Sequence, residues 1–459
     1  MTAALVAQVE ELIGQASALT PADLPHEVVD HVGLLFADTV GVMAAGARSP
    51  EMVALAADPW LGLTEGREPD GPAPGRAGRR GARTLVPGAR SGDPATVAWL
   101  NGTAGTFLEL DEGFRPTGHP AIQVVPAALA VAESTGASGL ELAAAIIAGY
   151  EVSARLFETF ALPRPMHPHG HFGAIGAATA VAKLTGADPV AVARIAATQP
   201  LLTGWEACYE GATARNTWSG HANRAGVQAA MLHRAGFTGS LASLLSVVEP
   251  YVADPRALAA PVSGGTLRVM RNYVKFHSAC ALTHSTLDAL RAAWDRLAVR
   301  DPWEVRRIEV TTVSANLRIA RPARPNALST RFSLPYAVAA ALLTGATGPA
   351  SFEWDETVAD YAGRVSVTAD PAMDALWPGR APARVLIRTS AGTAEATVDN
   401  PRGHHSCPAT RDELRAKFAA LTGERPAGVF DALAGLARAG DCSALPLPNN
   451  GSQLLMNEV

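Results

Sequence analysis

The chain has 459 residues and a net charge of -5, with 48% hydrophobic and 18% charged residues. A charge this small for the length gives no electrostatic basis for binding nucleic acid or an anionic membrane surface. The length exceeds what one hydrophobic core usually organises, so two domains are expected.

The cysteines and the N-terminus indicate the compartment. Four cysteines lie far apart with no CxxC pair, which favours a reducing compartment over a disulfide framework or a zinc knuckle. The N-terminal MTAALVAQVEELIGQ carries Glu10 and Glu11 and lacks the basic region of a signal peptide. No uninterrupted apolar run reaches the roughly 18 residues of a membrane span. We therefore expect a soluble, cytoplasmic protein.

Helices are predicted for most of the first half. Residues 4–17 and 26–47 have the apolar periodicity of helices, and so do the segments between residues 94 and 246, without strand alternation. Residues 62–84 are rich in Gly, Pro and Arg and predict an exposed, mobile loop. Four arginines of this loop could also form an anion-binding patch: Arg76, Arg79, Arg80 and Arg83.

Strands are predicted only after about residue 261. Residues 305–320, 363–370 and 383–400 show β-branched alternation, and helices return after Pro401. The predicted fold class is mostly α with α+β. A large all-helical domain takes residues 1–261 and 401–459, and a smaller α+β domain of residues 262–400 is inserted between these parts.

The first chemical cluster lies in NGTAGTFLELDEGFRPTGHPAIQVVPAAL. Glu109, Asp111 and Glu112 lead into a loop that ends at His119, and Pro120 restrains the backbone of that histidine. A solvated acidic helix end followed by a surface turn is the competing interpretation.

The second cluster lies in RPMHPHGHFGAIGAATAVAKLTG, where His167, His169 and His171 alternate along the chain. As metal ligands they lack a nearby carboxylate at ligand spacing, and Pro168 and Gly170 break strand geometry. Proton transfer is the alternative, provided that partners converge from elsewhere in the chain.

The glycines of the same stretch are only a weak signal for a phosphate-binding loop. Gly170, Gly173 and Gly176 stand at a helix start, but no Lys-Ser/Thr follows and no strand precedes them. Close contact between helices is the better explanation of Gly173 and Gly176.

The third cluster, His277, Cys280 and His284, lies in YVKFHSACALTHSTLDAL. A Cys-His nucleophile pair is conceivable, although an inert buried thiol is the commoner case. Ordinary packing explains three further candidates when each is taken alone: Arg215, His221 and Tyr336.

Together these stretches resemble the MmgE/PrpD family over nearly the whole chain. The matching segments are NGTAGTFLELDEGFRPTGHPAIQVVPAALAVAE, GYEVSARL, HPHGHFGAIGAATAVAKLTG, KFHSACALTHSTLDA, FSLPYAVAAALLTG and NPRGHHSCPATRDELRAKFAAL. The resemblance implies a large helical domain with a small α+β lid, a homodimer, and a small carboxylate-type substrate handled without a metal or organic cofactor.

The resemblance also implies site residues. Four positions agree with the family's catalytic pattern: His119, His167, His284 and Tyr336. Seven further positions are assigned to substrate binding: Glu109, Gly113, His169, His171, Arg215, His221 and Lys275.

Several positions depart from the family pattern. Glu109 replaces an aspartate and Gly113 a threonine of a DFDDT-like run, while Arg215 replaces a lysine and Trp218 a histidine. Arginine can hold a carboxylate in a bidentate manner but does not donate its proton near neutral pH. Because these departures fall on recognition positions, we expect a substrate other than methylcitrate.

The expected reaction is a cofactor-independent lyase reaction, a dehydration or a decarboxylation, that begins with proton transfer at a carbon next to a carboxylate or carbonyl. His167 and His284 would serve as acid and base in an unassigned order. His119 and Arg215 would stabilise the developing negative charge, and Tyr336 would donate a hydrogen bond or a proton. An epimerase or isomerase with the same site is the nearer alternative, and a non-catalytic binding protein the more distant one.

Overall fold

The computed structural model of the protein describes residues 2–65, 81–88, 90–163, 165–423 and 428–448. The chain is 59% helical and 9% strand. This confirms the predicted class, a mostly helical protein with a smaller α+β part.

Helices dominate the chain up to residue 261, as predicted. They are α1 (Thr2–Ala18), α2 (His26–Gly46), α3 (Pro50–Ala56), α4 (Pro94–Ala104), α5 (Pro120–Thr135), α6 (Gly139–Thr159), α7 (Phe172–Thr185), α8 (Pro189–Thr198), α9 (Glu206–Glu210), α10 (Thr217–Arg234), α11 (Ala242–Val248) and α12 (Arg256–Ala259).

Glycines let α7 lie closely against α5 and α6. A Cβ atom on Gly173 would come within 2.1 Å of Gln123 Oε1, and one on Gly176 within 2.3 Å of Ser153 Oγ. Atoms cannot approach that closely, so only glycine fits at these contacts. The predicted role of Gly173 and Gly176 in helix packing is confirmed.

The first half also contains strands, which corrects the prediction of helices alone. β1 (Thr64–Glu65) and β2 (Ala82–Arg83) each pair with β3 (Arg90–Gly92) in an antiparallel sheet of order β1-β3-β2. The alternation was too short to recognise in segments of two or three residues.

Both ends of the predicted 62–84 loop therefore form strands. Residues 66–80 lie outside the described residues, and so do three of the four arginines of the predicted patch: Arg76, Arg79 and Arg80. Arg83 binds the buried Glu133 at 2.6 Å, so it does not belong to a solvated patch.

The chain from 284 to 398 combines helices with one mixed sheet. The helices are α13 (His284–Trp294), α14 (Ala327–Arg331), α15 (Leu334–Thr344), α16 (Glu356–Tyr361) and α17 (Pro371–Asp374). The strands are β4 (Val305–Thr312), β5 (Val365–Ala369), β6 (Ala383–Thr389) and β7 (Thr393–Val398). The sheet order is β5-β4-β6-β7, with β4 and β5 parallel and the other pairs antiparallel.

The three predicted strand regions are all present in this sheet. Ile308 of β4 lies opposite Val365 of β5 and Ile387 of β6. Alternate residues of β6 are buried, because one face of the sheet is covered by α13. The apolar core beside this sheet is separate from the core of the first twelve helices. It also includes Trp205, Cys208 and Tyr209.

The C-terminal helices return to the first core. α18 (Arg411–Thr422) and α19 (Gly428–Ala434) both pack against α2, and Leu414, Phe418 and Phe430 are buried with the apolar side chains of α1, α2 and α6. This packing supports the predicted discontinuous helical domain. The exact division at residues 261 and 400 stays a prediction.

One helix of the described residues, α2, is long and apolar enough to span a membrane by length and composition, and 78% of its apolar window is buried inside the protein. The sequence prediction missed it because Asp30, His31 and Asp38 interrupt the run. Asp38 forms a buried ion pair with Lys417 at 2.8 Å. A helix covered by protein and paired in this way is a core helix of a globular fold.

Candidate active site

The candidate histidines lie where helices begin. His119 precedes the first residue of α5, His171 precedes α7, and His284 is the first residue of α13. Helix N-termini carry partial positive charge and free N–H groups, so they favour anions and disfavour protonated imidazoles. The interior that these helices share is therefore suited to an anionic ligand and neutral histidines.

His167 is held in a fixed orientation and tautomer. Its backbone N–H donates to Thr203 O at 2.8 Å, and its ring packs 4.5 Å from the Trp205 ring and 5.0 Å from the Trp218 ring. The backbone N–H of His169 donates to His167 Nδ1 at 3.2 Å. Since Nδ1 accepts, the neutral ring carries its proton on Nε2.

His169 connects His167 with the first cluster. Its ring lies 4.6 Å from the ring of His167 and 4.8 Å from that of His119. Ser219 Oγ lies 3.3 Å from its Nδ1, and its buried Nε2 has no hydrogen-bond partner among the described residues. Burial and the neighbouring His167 lower the pKa of His169 well below 6.5, so the ring is neutral with one nitrogen free for a ligand.

His171 has a structural role. Its Nδ1 accepts from Phe172 N at 2.9 Å, which caps α7, and its Nε2–H donates to His167 O at 3.0 Å. Burial lowers its pKa to about 4. With both ring nitrogens bound to backbone, His171 supports the loop beneath His167, and we no longer assign it to substrate contact.

Asp111, His119 and Lys275 form the centre of the cluster. Asp111 Oδ1 lies 3.1 Å from Lys275 Nζ, and its Oδ2 lies 2.9 Å from His119 Nδ1. That Nδ1–H donates to the backbone oxygen of Glu112 at 2.7 Å, so the lone pair of the neutral ring is on Nε2.

These charges stabilise one another. Burial alone would raise the pKa of Asp111, but the positive charge of Lys275 and the hydrogen bond from His119 outweigh it and lower the pKa. Burial would likewise lower the pKa of Lys275, and Asp111 and Glu109 raise it. Lys275 is consequently a permanent cation within the site.

Glu109 and Arg215 form a second buried ion pair, with Arg215 Nη1 2.6 Å from Glu109 Oε1. Arg215 also donates from Nε to Cys208 Sγ at 3.4 Å. Glu109 has a φ of 52°, and it is the one non-glycine residue with positive φ in the described ranges. Left-handed backbone is unfavourable for glutamate, and such strain is concentrated at functional sites.

Glu112 is held as a neutral acid. Its carboxyl group contacts the Tyr150 hydroxyl and accepts from Ala121 N at 3.0 Å. Burial raises its pKa to about 8, against the effect of these hydrogen bonds. Glu112 therefore does not compete with Asp111 for the cations near pH 7.

Tyr273 fills the space beside Gly113. The two residues exchange backbone hydrogen bonds of 2.9 Å, and a Cβ atom on Gly113 would lie 2.2 Å from Tyr273 Cζ. No larger residue fits at position 113 unless the tyrosine moves.

His284 lies on the lid side of this interior. Its Nε2–H donates to Ala279 O at 3.1 Å, and its buried Nδ1 has no hydrogen-bond partner in the part of the chain that the structure describes. Its ring is 5.0 Å from His277, which is bound to Asp288 at 3.0 Å. Burial, together with the nearby His277 and Lys275, lowers the pKa of His284 well below 6.5. The ring is neutral and its Nδ1 offers a lone pair.

Two sequence candidates are not brought to this cluster. The Tyr336 hydroxyl donates to Glu353 O at 2.7 Å and accepts from Asp355 N at 3.0 Å. His221 is exposed on α10, 6.0 Å from the Trp99 ring. Within the described residues neither side chain has a hydrogen bond or ring contact with His119, His167 or His284, so their assigned roles stay predictions without geometric support.

Two family models match the chain, the MmgE/PrpD N-terminal domain over residues 10–246 and the MmgE/PrpD C-terminal domain over residues 277–429. The chain belongs to the MmgE/PrpD family. The predicted resemblance is thereby confirmed.

Two cis-aconitate decarboxylases are similar to this family member. The mouse enzyme is 25% identical over 353 residues, which is 71% of each chain. The human enzyme is 29% identical over 155 residues, which is 32% of each chain. The alignment with the human enzyme thus spans about a third of its length. Family and relatives together support a family of lyase or dehydratase type.

A metal ion is the other ligand that this MmgE/PrpD site invites. Ligand atoms of Asp111, His119 and His169 lie within 4.8 Å of one another. However, Lys275 and Arg215 are buried cations beside the same groups, and their charge opposes a divalent ion. The charge balance favours an anionic substrate over a metal.

Sequence reasoning missed Tyr273 and Arg331. Tyr273 stands two residues before the matching segment KFHSACALTHSTLDA, but nothing in its spacing indicated that it would cover Gly113. Arg331 is buried at the end of α14, although an arginine in a short polar helix ordinarily lies at the surface. Only the three-dimensional contacts reveal these two positions.

Proposed function

We propose that the protein is a cofactor-independent lyase, a dehydratase or decarboxylase, that moves a proton at a carbon next to a carboxylate or carbonyl of a small acid. The observation that carries this proposal is the pair of buried neutral histidines with opposite hydrogen-bonding capacity. His284 Nδ1 has a free lone pair, whereas His167 carries its proton on Nε2.

This difference suggests an order for the two roles. His284 would act as general base through Nδ1, and His167 as general acid through Nε2–H towards the leaving oxygen or the developing enolate. Their lowered pKa values keep both rings neutral near pH 7. The neutral His284 ring can accept the proton that is removed, the neutral His167 ring can donate a hydrogen bond to the developing charge, and the proton held by His284 is the one that later returns to the leaving group or product.

The cations of the site would stabilise the charge that develops on the substrate. Lys275 lies close to Asp111 and Glu109, and Arg215 close to Glu109. The N-termini of α5 and α13 add partial positive charge to the same interior. His119, with its lone pair on Nε2, would accept a hydrogen bond from a substrate hydroxyl or an enzyme-bound water.

We further propose that the substrate is a small carboxylate other than methylcitrate, and that the protein acts as a cytoplasmic homodimer with no nucleic-acid or membrane partner. The departures at Glu109, Gly113 and Arg215 support a different substrate. Glu109 already forms an ion pair with Arg215, and the Tyr273 ring fills the space beside Gly113.

Incubation with a panel of small carboxylic acids in deuterated water tests the proposal. A dehydratase product is lighter by one water, and a decarboxylase product is lighter by carbon dioxide, both read by mass spectrometry. His284→Gln should abolish the conversion, and His26→Gln, on the exposed start of α2, should leave it unchanged. Conversion at the wild-type rate by the His284 variant would refute the assignment of the base.

An epimerase is the second candidate, and one observation favours it. His119 Nε2 and His284 Nδ1 are both lone-pair nitrogens in the neutral rings, which is the arrangement that proton removal on one face and return on the other requires. In deuterated water an epimerase adds one deuterium to an acid whose composition is otherwise unchanged. That outcome would replace the lyase assignment, and no reaction with any acid would favour a binding protein.

A further inference from the structure

Four cations buried around this interior, among the described residues, differ in how their charge is compensated. Three are close to buried carboxylates: Arg215 is 2.6 Å from Glu109, Lys275 is 3.1 Å from Asp111, and Lys417 is 2.8 Å from Asp38. The fourth is Arg331.

Arg331 lies at the end of α14 with its side chain only 6% exposed. Its guanidinium donates to backbone carbonyls, from Nη1 to Phe107 O at 3.2 Å and from Nη2 to Pro349 O at 3.4 Å. Its Nε is buried and has no hydrogen-bond partner within the described ranges. The nearest carboxylate is Glu353, 3.8 Å away on a side chain that is 64% exposed. A buried guanidinium with such weak compensation is costly until an anion binds it.

The position of Arg331 is suited to a substrate contact. Phe107, its carbonyl partner, is two residues before Glu109, and Arg331 O accepts from Cys280 N at 2.9 Å. Arg331 therefore bridges the segment that carries Glu109 and the segment that leads to His284. Burial lowers its pKa, while Glu353 and Glu109 raise it, which is consistent with a charge that lies between the exposed Glu353 and the buried Glu109.

We propose that Arg331 binds a carboxylate of the substrate, and that Glu353 occupies the guanidinium loosely until that acid displaces it. This inference rests on the proposed function and narrows the substrate class. Protein carboxylates already neutralise the other three cations. The positive charge of Arg331 can therefore neutralise one negative charge of a bound ligand. The substrate is an acid that presents a single carboxylate to the buried site.

Tyr336 gains a positioning role in this arrangement. Its hydroxyl holds the backbone of Glu353 and Asp355, and so it fixes the turn from which Glu353 reaches Arg331. This accounts for a buried tyrosine that does not touch the histidines.

Calorimetric titration of the full-length protein with inert acids tests the inference, with butyrate as the single-carboxylate probe and tricarballylate as the three-carboxylate probe. Arg331→Met should weaken butyrate binding by about tenfold or more, the value of a hydrogen-bonded charge contact. Glu353→Gln should tighten it, because the competing carboxylate is lost. Arg384→Met, an exposed arginine of β6, serves as the matched control and should bind like wild type.

The inference would be overturned if the wild type did not bind butyrate, or if it clearly preferred tricarballylate. It would also be overturned if Arg331→Met bound butyrate within about twofold of wild type, or if Glu353→Gln bound it no more tightly than wild type. The Glu353 variant and the probe comparison decide the matter even if the Arg331 variant does not fold. If Arg331→Met loses butyrate binding while the wild type turns over no acid, the result would support this binding site and refute the proposed reaction. If Arg331→Met binds butyrate like wild type and the wild type still transfers the proton, the result would refute this binding site and support the proposed reaction.

Discussion

His169 holds the neighbouring His167 in one tautomer by donating its backbone N–H to His167 Nδ1 at 3.2 Å. A backbone amide can only donate, so the lone pair of His167 is consumed at Nδ1 and its proton stays on Nε2. The alternating spacing of the two histidines, which first suggested a metal site, thus serves to orient one proton donor.

We expect His167→Asn to lower turnover by about a hundredfold to ten-thousandfold, the usual contribution of a general acid. The asparagine oxygen can accept the His169 N–H as Nδ1 does, so the fold should be preserved, but no proton donor remains at the position of Nε2. Steady-state kinetics and thermal unfolding measure the two effects. His26→Asn is the control, and turnover of the His167 variant near the wild-type value would contradict the role.

The activity should persist in mildly acidic solution. Burial lowers the pKa of His167 and of His284 well below 6.5, and a base works only while it is unprotonated. We expect turnover to change little as the pH falls from about 7.5 to 6.5 and to decline only well below pH 6.5. Initial rates across this range check the expectation, with circular dichroism at each pH to verify folding. Half-maximal turnover at pH 6.5 or above would show that the rings are not desolvated during catalysis.

Glu112 should make stability depend on pH. Its folded pKa of about 8 is above the ordinary glutamate value of 4.5, so the folded state binds the proton more tightly. Stability from this group is fully present below about pH 4.5 and is lost as the pH rises towards 8, at up to roughly 1.4 kcal/mol per pH unit.

Glu112→Gln, which is neutral at every pH, should flatten this decline and raise the unfolding temperature at pH 8 relative to wild type. Its amide can donate to Tyr150 while its oxygen accepts from Ala121. Melting curves at pH 5 to 9 provide the measurement, and the exposed Glu11→Gln is the control. Parallel pH profiles for wild type and Glu112→Gln would mean that the carboxyl is ionised in the fold.

Dialysis against a chelator should leave turnover and unfolding temperature unchanged. Asp111, His119 and His169 offer ligand atoms within 4.8 Å, but Lys275 lies 3.1 Å from Asp111 and repels a divalent ion. Elemental analysis of the purified protein gives an independent measurement. Metal at one equivalent per chain, with activity lost on its removal, would contradict the cofactor-free mechanism.

The helices and strands were predictable because their signals are local. Apolar periodicity located α1 and α2, and alternation located β4 to β7, since one face of each element is buried. The strands β1 to β3 were missed because two or three residues carry no measurable alternation. Their pairing depends on contacts between segments far apart in sequence.

The site was predictable only where family motifs mark it. His119, His167 and His284 could be named from their motifs, but their tautomers depend on carbonyl and amide partners that no spacing encodes. His171 was assigned to substrate binding, whereas in the structure it caps α7. Arg331 gave no signal, because a buried arginine and a surface arginine have the same sequence pattern.

The Glu109–Arg215 pair should couple strongly in folding. Removing either partner leaves a buried charge without its closest counter-ion, so Glu109→Gln and Arg215→Met should each lower the free energy of unfolding by about 3–5 kcal/mol. The double variant loses both charges and should be less destabilised than the sum, with a coupling energy of about 1–3 kcal/mol. Urea unfolding of the four proteins measures it. The exposed pair of Arg380 and Asp399, 3.1 Å apart and 56% exposed on both sides, is the matched control and should couple by less than about 1 kcal/mol. Additive effects at Glu109 and Arg215 would show that Lys275 alone compensates Glu109, and that Arg215 is free to bind substrate.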